Sequence, residues 1–306
     1  MKNLILIVVV LILALAGGYW YSQIYVKNEA PEMPLTNTST STPPQITETV
    51  VDTTKTVLGK SVQGRDIVAY HFGSGTKEVV LVGGMHGGYS WNTALLGLDL
   101  KEYFEKNPTA IPSAVKVTVI PVLNPDGLNL VVGTTSRFTK TDVSSSGSVK
   151  TAGRFNANRV DLNRNFDCDW KESGTWQNTQ VSGGAAAFSE PESQAFKNYI
   201  DMKKPTAVVV WYSAAGGVFP SECGASPSPE TLALTDVFAK AAGYKAFADF
   251  DFYEVTGDMP NWLAKMNIPA ISVLLTSHED TEWTKNQRRH GPLPSGRVRV
   301  FFWPGG

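Results

Sequence analysis

Residues 78–92 read EVVLVGGMHGGYSWN, and this stretch decides the fold. Glu78 to Val82 is a largely apolar run without alternation, as expected of a strand buried on both faces of a parallel sheet. Gly83-Gly84 ends it. From Trp91 to Phe104 the apolar positions return at helical spacing, with Leu95, Leu96, Leu98 and Tyr103 on one side. Strand, glycine turn and helix make a βα unit, and its turn carries a histidine, His86.

Working outward, the same alternation continues. Asp66 to Phe72 reads as a short strand. Val115 to Val122 reads as another, stopped by the turn signal Asn124-Pro125-Asp126-Gly127. A long Ser/Gly/Thr loop is expected at about 134–153. Ser189-Glu190-Pro191-Glu192 is a helix start in which Ser189 can cap, Pro191 suits the first turn and the acids complement the helix dipole; that helix runs to about Met202. Thr206 to Trp211 is a buried strand, Pro229–Ala242 and Met259–Lys265 are helices, and Ala270–Leu275 is the final core strand. His278-Glu279-Asp280-Thr281-Glu282 reads as the start of one more helix. The pattern predicts an α/β domain over residues 56–287 whose mixed, mostly parallel central sheet carries helices on both faces.

The flanks differ in composition. An uncharged apolar run from Leu4 to Tyr21 follows Lys2. At 1.5 Å rise per residue it comes close to crossing a hydrocarbon layer of roughly 30 Å, and Tyr19, Trp20 and Tyr21 sit where an interfacial aromatic belt would lie. Residues 1–27 are therefore expected to anchor the chain in a membrane, the rival reading being a signal peptide cleaved near Ala14-Leu15-Ala16. Either way the domain is extracytoplasmic. Residues 28–55 are Thr/Pro/Ser-rich and read as a linker. Residues 288–306 (RRHGPLPSGRVRVFFWPGG) have no helical period and read as an atypical tail.

Charge excludes one class of partner. The chain of 306 residues has a formal net charge of −1 and no basic run beyond Arg288-Arg289, which argues against nucleic acid. The two cysteines, Cys168 and Cys223, form no CxxC, so a cysteine metal site is not expected. They are either two buried thiols or, in an oxidising compartment, a disulfide restricting the unfolded chain by roughly 3–5 kcal/mol.

Six phrases occur in a set order: Gly59-Lys-Ser-Val-Gln-Gly-Arg65; Gly83 to Gly88; Asn124 to Gly127; Arg154-Phe-Asn-Ala-Asn-Arg-Val-Asp161-Leu-Asn163-Arg164-Asn165-Phe166; Phe188-Ser-Glu-Pro-Glu192; and Tyr253-Glu-Val-Thr-Gly257-Asp258. In this order and spacing the chain resembles the zinc carboxypeptidase family typified by carboxypeptidase A, over about residues 57–287. The resemblance implies a zinc ion held by a His, a Glu and a second His. It also implies a Glu general base on the last core strand, an arginine for the oxyanion, and an Asn-Arg pair with a tyrosine gripping the substrate's terminal carboxylate.

Position by position, the resemblance places His86 at the first zinc ligand. Ser90 stands where the Glu ligand belongs, Tyr212 where the second His belongs, and Leu274 at the general base. A hydroxyl is a poor zinc ligand beside imidazole or carboxylate, a phenol with an ordinary pKa near 10 is an uncommon one, and leucine takes no proton. The peripheral set is present. Arg154 matches the oxyanion arginine, with Arg137 a second candidate in the same loop; Asn163 and Arg164 match the carboxylate clamp; Tyr253 matches the tyrosine over the substrate. His71, His278 and His290 are the other histidines, and His278 with its acidic neighbours, together with His86, is the candidate for a relocated metal site.

The sequence thus predicts a carboxypeptidase-like protein that has lost catalysis but keeps a pocket for peptides with a free C-terminal carboxylate, with zinc absent or weakly held. The alternative is an active zinc carboxypeptidase trimming peptides or cell-wall peptides. Membrane contact is expected through the N-terminal segment.

Overall fold

The computed structural model describes residues 54–287. The expected anchor at 1–27, nearly all of the linker and the tail at 288–306 lie outside the described residues. Among those described, no helix is long and apolar enough to cross a membrane.

An eight-stranded sheet forms the centre. Its strands are β1 (Lys55–Lys60), β2 (Asp66–Phe72), β3 (Lys77–Val82), β4 (Val115–Ile120), β7 (Ala207–Ser213), β8 (Gly217–Pro220), β9 (Lys245–Ala246) and β10 (Ala270–Leu275). They lie in the order β1-β2-β4-β3-β7-β10-β8-β9. The central pairings β4–β3, β3–β7 and β7–β10 are parallel, while β1–β2, β2–β4 and β10–β8 are antiparallel. A separate hairpin joins β5 (Ser173–Trp176) to β6 (Thr179–Ser182). The helices are α1 (Trp91–Lys106), α2 (Pro125–Val132), α3 (Gly147–Ala152), α4 (Pro191–Lys203), α5 (Pro229–Ala242), α6 (Met259–Lys265) and α7 (Trp283–Asn286).

The two-residue period of the strands explains why both faces need cover. Val80, Val82, Val208 and Val210 point to one face and pack with Phe196 and Ile200 of α4 and Trp262 and Leu263 of α6. Val79, Leu81, Val209, Trp211 and Val273 point to the other, against Leu96 and Leu100 of α1 and Phe238 and Ala242 of α5. Each such apolar side chain contributes roughly 1.5–3 kcal/mol by leaving water, which is why these strands carry almost no polar residue.

Four local expectations are corrected. Asn124-Pro125-Asp126-Gly127 is not a free turn but the start of α2: Asn124 Oδ1 accepts from the Gly127 N–H at 2.8 Å and Pro125 takes the first helical position. The 134–153 loop holds the short helix α3 and a 3-10 turn at Lys140–Asp142. Ser189 does not cap α4. Glu190 takes that position without a capping side-chain bond, and the Ser189 hydroxyl donates to Glu190 while accepting from Asn165. After β10 the helix begins only at Trp283, because Glu282 turns back to accept from the Thr276 N–H and hydroxyl.

Cys168 and Cys223 are joined as a disulfide, which settles the alternative left open by their spacing. Closing a chain segment of this length restricts the unfolded state by about 4 kcal/mol, and such bonds persist in oxidising compartments.

Candidate active site

A cavity of about 650 Å³ opens at the C-terminal ends of β3, β7 and β10, where open parallel sheets place their ligands. His86, Tyr212 and Leu274 from these strand ends line it together with Arg154, Asn163, Arg164, Tyr253 and His278. Of the eight positions matched to the family's site, with Arg154 taken as the oxyanion arginine rather than Arg137, seven therefore line one cavity. Ser90, the eighth, is buried at the N-cap of α1, four residues beyond His86.

The turn between β3 and α1 aims His86. Gly87 has a φ of +43°, and a Cβ there would meet the Gly153 carbonyl at 2.7 Å, so the chain passes this point only as glycine. His86 is buried, and neither ring nitrogen has a hydrogen-bond partner. Its Nε2 lies 3.4 Å from Asp161 Oδ1, outside hydrogen-bond geometry. Burial and the nearby Arg154 push its pKa down to about 4, Asp161 offsetting part of this, so the imidazole is neutral at pH 7.

Asp161 had not been singled out as a site residue, yet it is the joint of the site. It is fully buried, and its Oδ2 accepts from Arg154 Nε and Nη2 at 2.9 and 2.7 Å. Burial alone would raise its pKa; Arg154, His86 and Arg164 reverse that and hold it well below the carboxylate range. The same guanidinium stacks 4.3 Å from the Trp176 ring. The signal for Asp161 was present in Val-Asp161-Leu-Asn163, two residues before Asn163.

Arg164 differs from Arg154 in its counter-charge. It is 1% exposed. Its Nη1 donates to the Asn163 carbonyl and its Nη2 to the Thr175 carbonyl, both at 2.7 Å, and its Nε has no partner. It forms no salt bridge among the described residues, so a buried cation with spare N–H donors faces the cavity. The Tyr253 ring lies 5.9 Å from this guanidinium. Gly257, at φ +65°, lets the following loop dock: its N–H donates to the Cys168 carbonyl, and a Cβ would meet the Arg164 carbonyl at 2.4 Å.

Tyr212 is buried, and burial together with Asp258 raises its pKa well above 10. The phenol keeps its proton and donates it to Asn163 Oδ1 at 2.8 Å, an oxygen that also accepts from the Met259 N–H at 3.3 Å. Leu274 sits beside it, paired to Tyr212 across β7–β10, inside the apolar cluster. The Ser90 hydroxyl is buried without a partner.

Catalytic zinc takes three protein ligands from imidazole, carboxylate or thiolate. The donors here are one unpartnered imidazole, one neutral hydroxyl and one protonated phenol engaged with Asn163, and this set does not fit zinc. Among the described residues, the three-residue group of His, Cys, Asp or Glu whose ligand atoms lie together is Cys168, Asp169 and Cys223, where the two sulfurs are bonded to each other.

The remaining candidates are dispersed. Arg137 is half-exposed, pairs with Asp99 and lies 3.7 Å from Glu102, away from the cavity. His71 bonds to Thr56 and Thr118 at the far side of the sheet. His278 reaches the cavity rim, its ring 4.6 Å from that of Tyr89; it stands in no group of metal-type donors among the described residues.

The sequence profile of the zinc carboxypeptidase family matches residues 44–265. The chain belongs to this family. It is 26% identical over 225 residues to murein peptide amidase A of Escherichia coli (strain K12), covering 70% of this chain and 78% of that protein. It is 31% identical over 156 residues to a zinc carboxypeptidase of Simulium vittatum, 48% of this chain and 49% of the other, so it spans about half of that relative's length. The structure of carboxypeptidase A from Helicoverpa armigera superposes with a TM-score of 0.54 at 20% identity, over 72% of this chain and 59% of that one, a likeness of fold. The mixed α/β fold expected from the sequence is thus that of the zinc carboxypeptidases.

Proposed function

We propose that this family member binds peptides through their C-terminal carboxylate without hydrolysing them. The observation that carries the reading is Arg164: a buried guanidinium in no salt bridge among the described residues, with an unpartnered Nε–H and a cavity before it. Leaving a cation buried and unpaired costs several kcal/mol, which a carboxylate ligand recovers through charge-assisted bonds. Asn163 and Tyr253 complete the clamp, and Arg154 shapes the wall beside it.

Catalysis is the part we assign as lost. Zinc with only His86 as a strong donor is held weakly, and Leu274 offers no base; loss of a general base alone removes about 10²–10⁴-fold of rate. One observation favours the rival reading of an active zinc carboxypeptidase: His86 Nδ1 is buried and unpartnered, as a ligand atom would be before its metal arrives. The ligand class is a peptide with a free C-terminus, cell-wall peptides included, since one relative is a murein peptide amidase. The Cys168–Cys223 disulfide and the apolar run at Leu4–Tyr21 support an extracytoplasmic domain anchored by residues 1–27, with 56–287 as its folded unit.

The test is calorimetric titration of the chelator-treated full-length protein with one peptide in two forms, free acid and C-terminal amide, followed by mass analysis of the peptide. The expected result is binding of the acid at least tenfold tighter than the amide, with the peptide intact. Release of the C-terminal residue by the untreated natural chain would establish the rival.

A further inference from the structure

We propose that Cys168, Cys223 and Asp169 form a redox-gated site that takes a soft divalent cation such as zinc once a dithiol reductant has split the disulfide. One ligand atom from each, two sulfurs and a carboxylate oxygen, lie within 4.8 Å of one another. Asp169 Oδ2 stands 3.8 Å from Cys168 Sγ. Thiolate and carboxylate are both zinc ligands, and thiolates favour soft cations. A disulfide needs no carboxylate beside it, whereas a metal held by two thiolates needs further donors. No CxxC marks the site, because its thiols come from positions 55 apart in sequence and meet only in the fold. None of the three residues lines the strand-end cavity, so the site is separate from it.

The geometry allows the exchange. The Cα atoms of the two cysteines are 6.0 Å apart. Zinc–sulfur bonds of about 2.3 Å at tetrahedral angles put two sulfurs roughly 3.8 Å apart, a separation reached by rotating both side chains about their Cα–Cβ bonds. Cys168 is buried, Cys223 is half-buried and Asp169 is exposed, so reductant and cation reach the group from the side of Cys223 and Asp169. The reductant's thiolate attacks Cys223 Sγ, and Cys168 leaves as a thiolate. The reductant's second sulfur then closes its own disulfide and frees Cys223. Two electrons thus pass to the protein, and its two thiols release their protons to solvent as the cation binds. The bound cation replaces the covalent tie between the segment after Arg164 and the segment after β8. Gly257 docks on that tie, its N–H donating to the Cys168 carbonyl at 2.7 Å. Reduction alone loosens this corner, and zinc restores it.

The experiment titrates the full-length protein with zinc, and in parallel with cobalt(II) as an optical probe, before and after reduction by a phosphine, which becomes the phosphine oxide. Expected is one tightly held zinc per reduced chain and a thiolate-to-cobalt charge-transfer absorption, with neither in the oxidised chain, where His86 is equally present. Zinc should also raise the thermal midpoint of the reduced chain and leave that of the oxidised chain unchanged. Asp169→Asn, an exposed change that leaves the disulfide intact, should weaken zinc binding by the reduced chain at least about tenfold, the cost that loss of even an outer-shell partner carries. Absence of the thiolate–cobalt absorption, equal uptake in both redox states, or undiminished affinity in Asp169→Asn overturns the proposal. So does a reduced chain that stays unfolded with zinc present, because only the fold brings these donors together.

Discussion

One side of the cavity is built from the ends of β3, β7 and β10, the other from residues 154–176 and the start of α6. On the first side, the polar atoms either face nothing, as in His86 and Ser90, or are spent on the protein, as in Tyr212. On the second, Arg154 and Arg164 are buried in firm geometry, the first neutralised by Asp161 and the second in no salt bridge among the described residues. The same fold supports both because the strands need only apolar residues to pack. Leu274 and the Tyr212 ring join the core, whereas a buried arginine must be held by carbonyls, carboxylates or substrate. On the proposed reading, the scaffold has lost its chemistry while keeping its pocket.

The comparison breaks most severely at Asp161, which touches both sides. Asp161→Ala leaves Arg154 buried without its partner and should cost about 3–5 kcal/mol of stability, read as a fall in the denaturant midpoint. If the loss is under about 1 kcal/mol, the two sides are not joined through this carboxylate.

Arg164→Ala should weaken peptide binding by about 2–5 kcal/mol, at least about thirtyfold, while Ser90→Ala leaves affinity within about twofold. Equal losses from both variants would erase the distinction between the sides.

Acid titration sharpens it further. His86 is neutral in the fold down to about pH 4, while in the unfolded chain it protonates near 6.5, so acidification through this window costs stability. Asp258 stays protonated in the fold up to about pH 7 but ionises near 3.8 in the unfolded chain, so its contribution is present at low pH and lost as pH rises. Each slope is about 1.4 kcal/mol per pH unit, with opposite sign. Relative to the parent, Asp258→Asn should lose about 3 kcal/mol more on going from pH 6.5 to 4, and His86→Gln should lose correspondingly less. Unchanged slopes in guanidinium melts would refute these protonation states.

Tyr212→Phe is the mildest change. It removes the bond to Asn163 and should cost about 1 kcal/mol with little effect on peptide affinity.

Much of this was legible before any coordinates. EVVLV and its glycine turn announce a buried parallel strand because both faces must be apolar, and the six ordered phrases pointed to residues that do meet in one cavity. The disulfide was not legible, since spacing alone fits paired or free thiols equally. Ser189 looked like a cap, but its hydroxyl is drawn to Asn165 and Glu190 by a tertiary network that no local rule contains. Asp161 and Asp258 stood inside quoted phrases as ordinary loop acids. What distinguishes them, one doubly bonded by Arg154 and the other lacking a partner on Oδ1, exists only once distant segments converge.

The central claim is most directly tested by the zinc content of the full-length natural chain, purified without chelator and equilibrated with micromolar zinc, beside the variant carrying Ser90→Glu, Tyr212→His and Leu274→Glu. The account predicts well under one zinc per natural chain and no release of C-terminal residues, with about one zinc and measurable release for the variant. One tightly held zinc per natural chain, with peptide trimming, would contradict it.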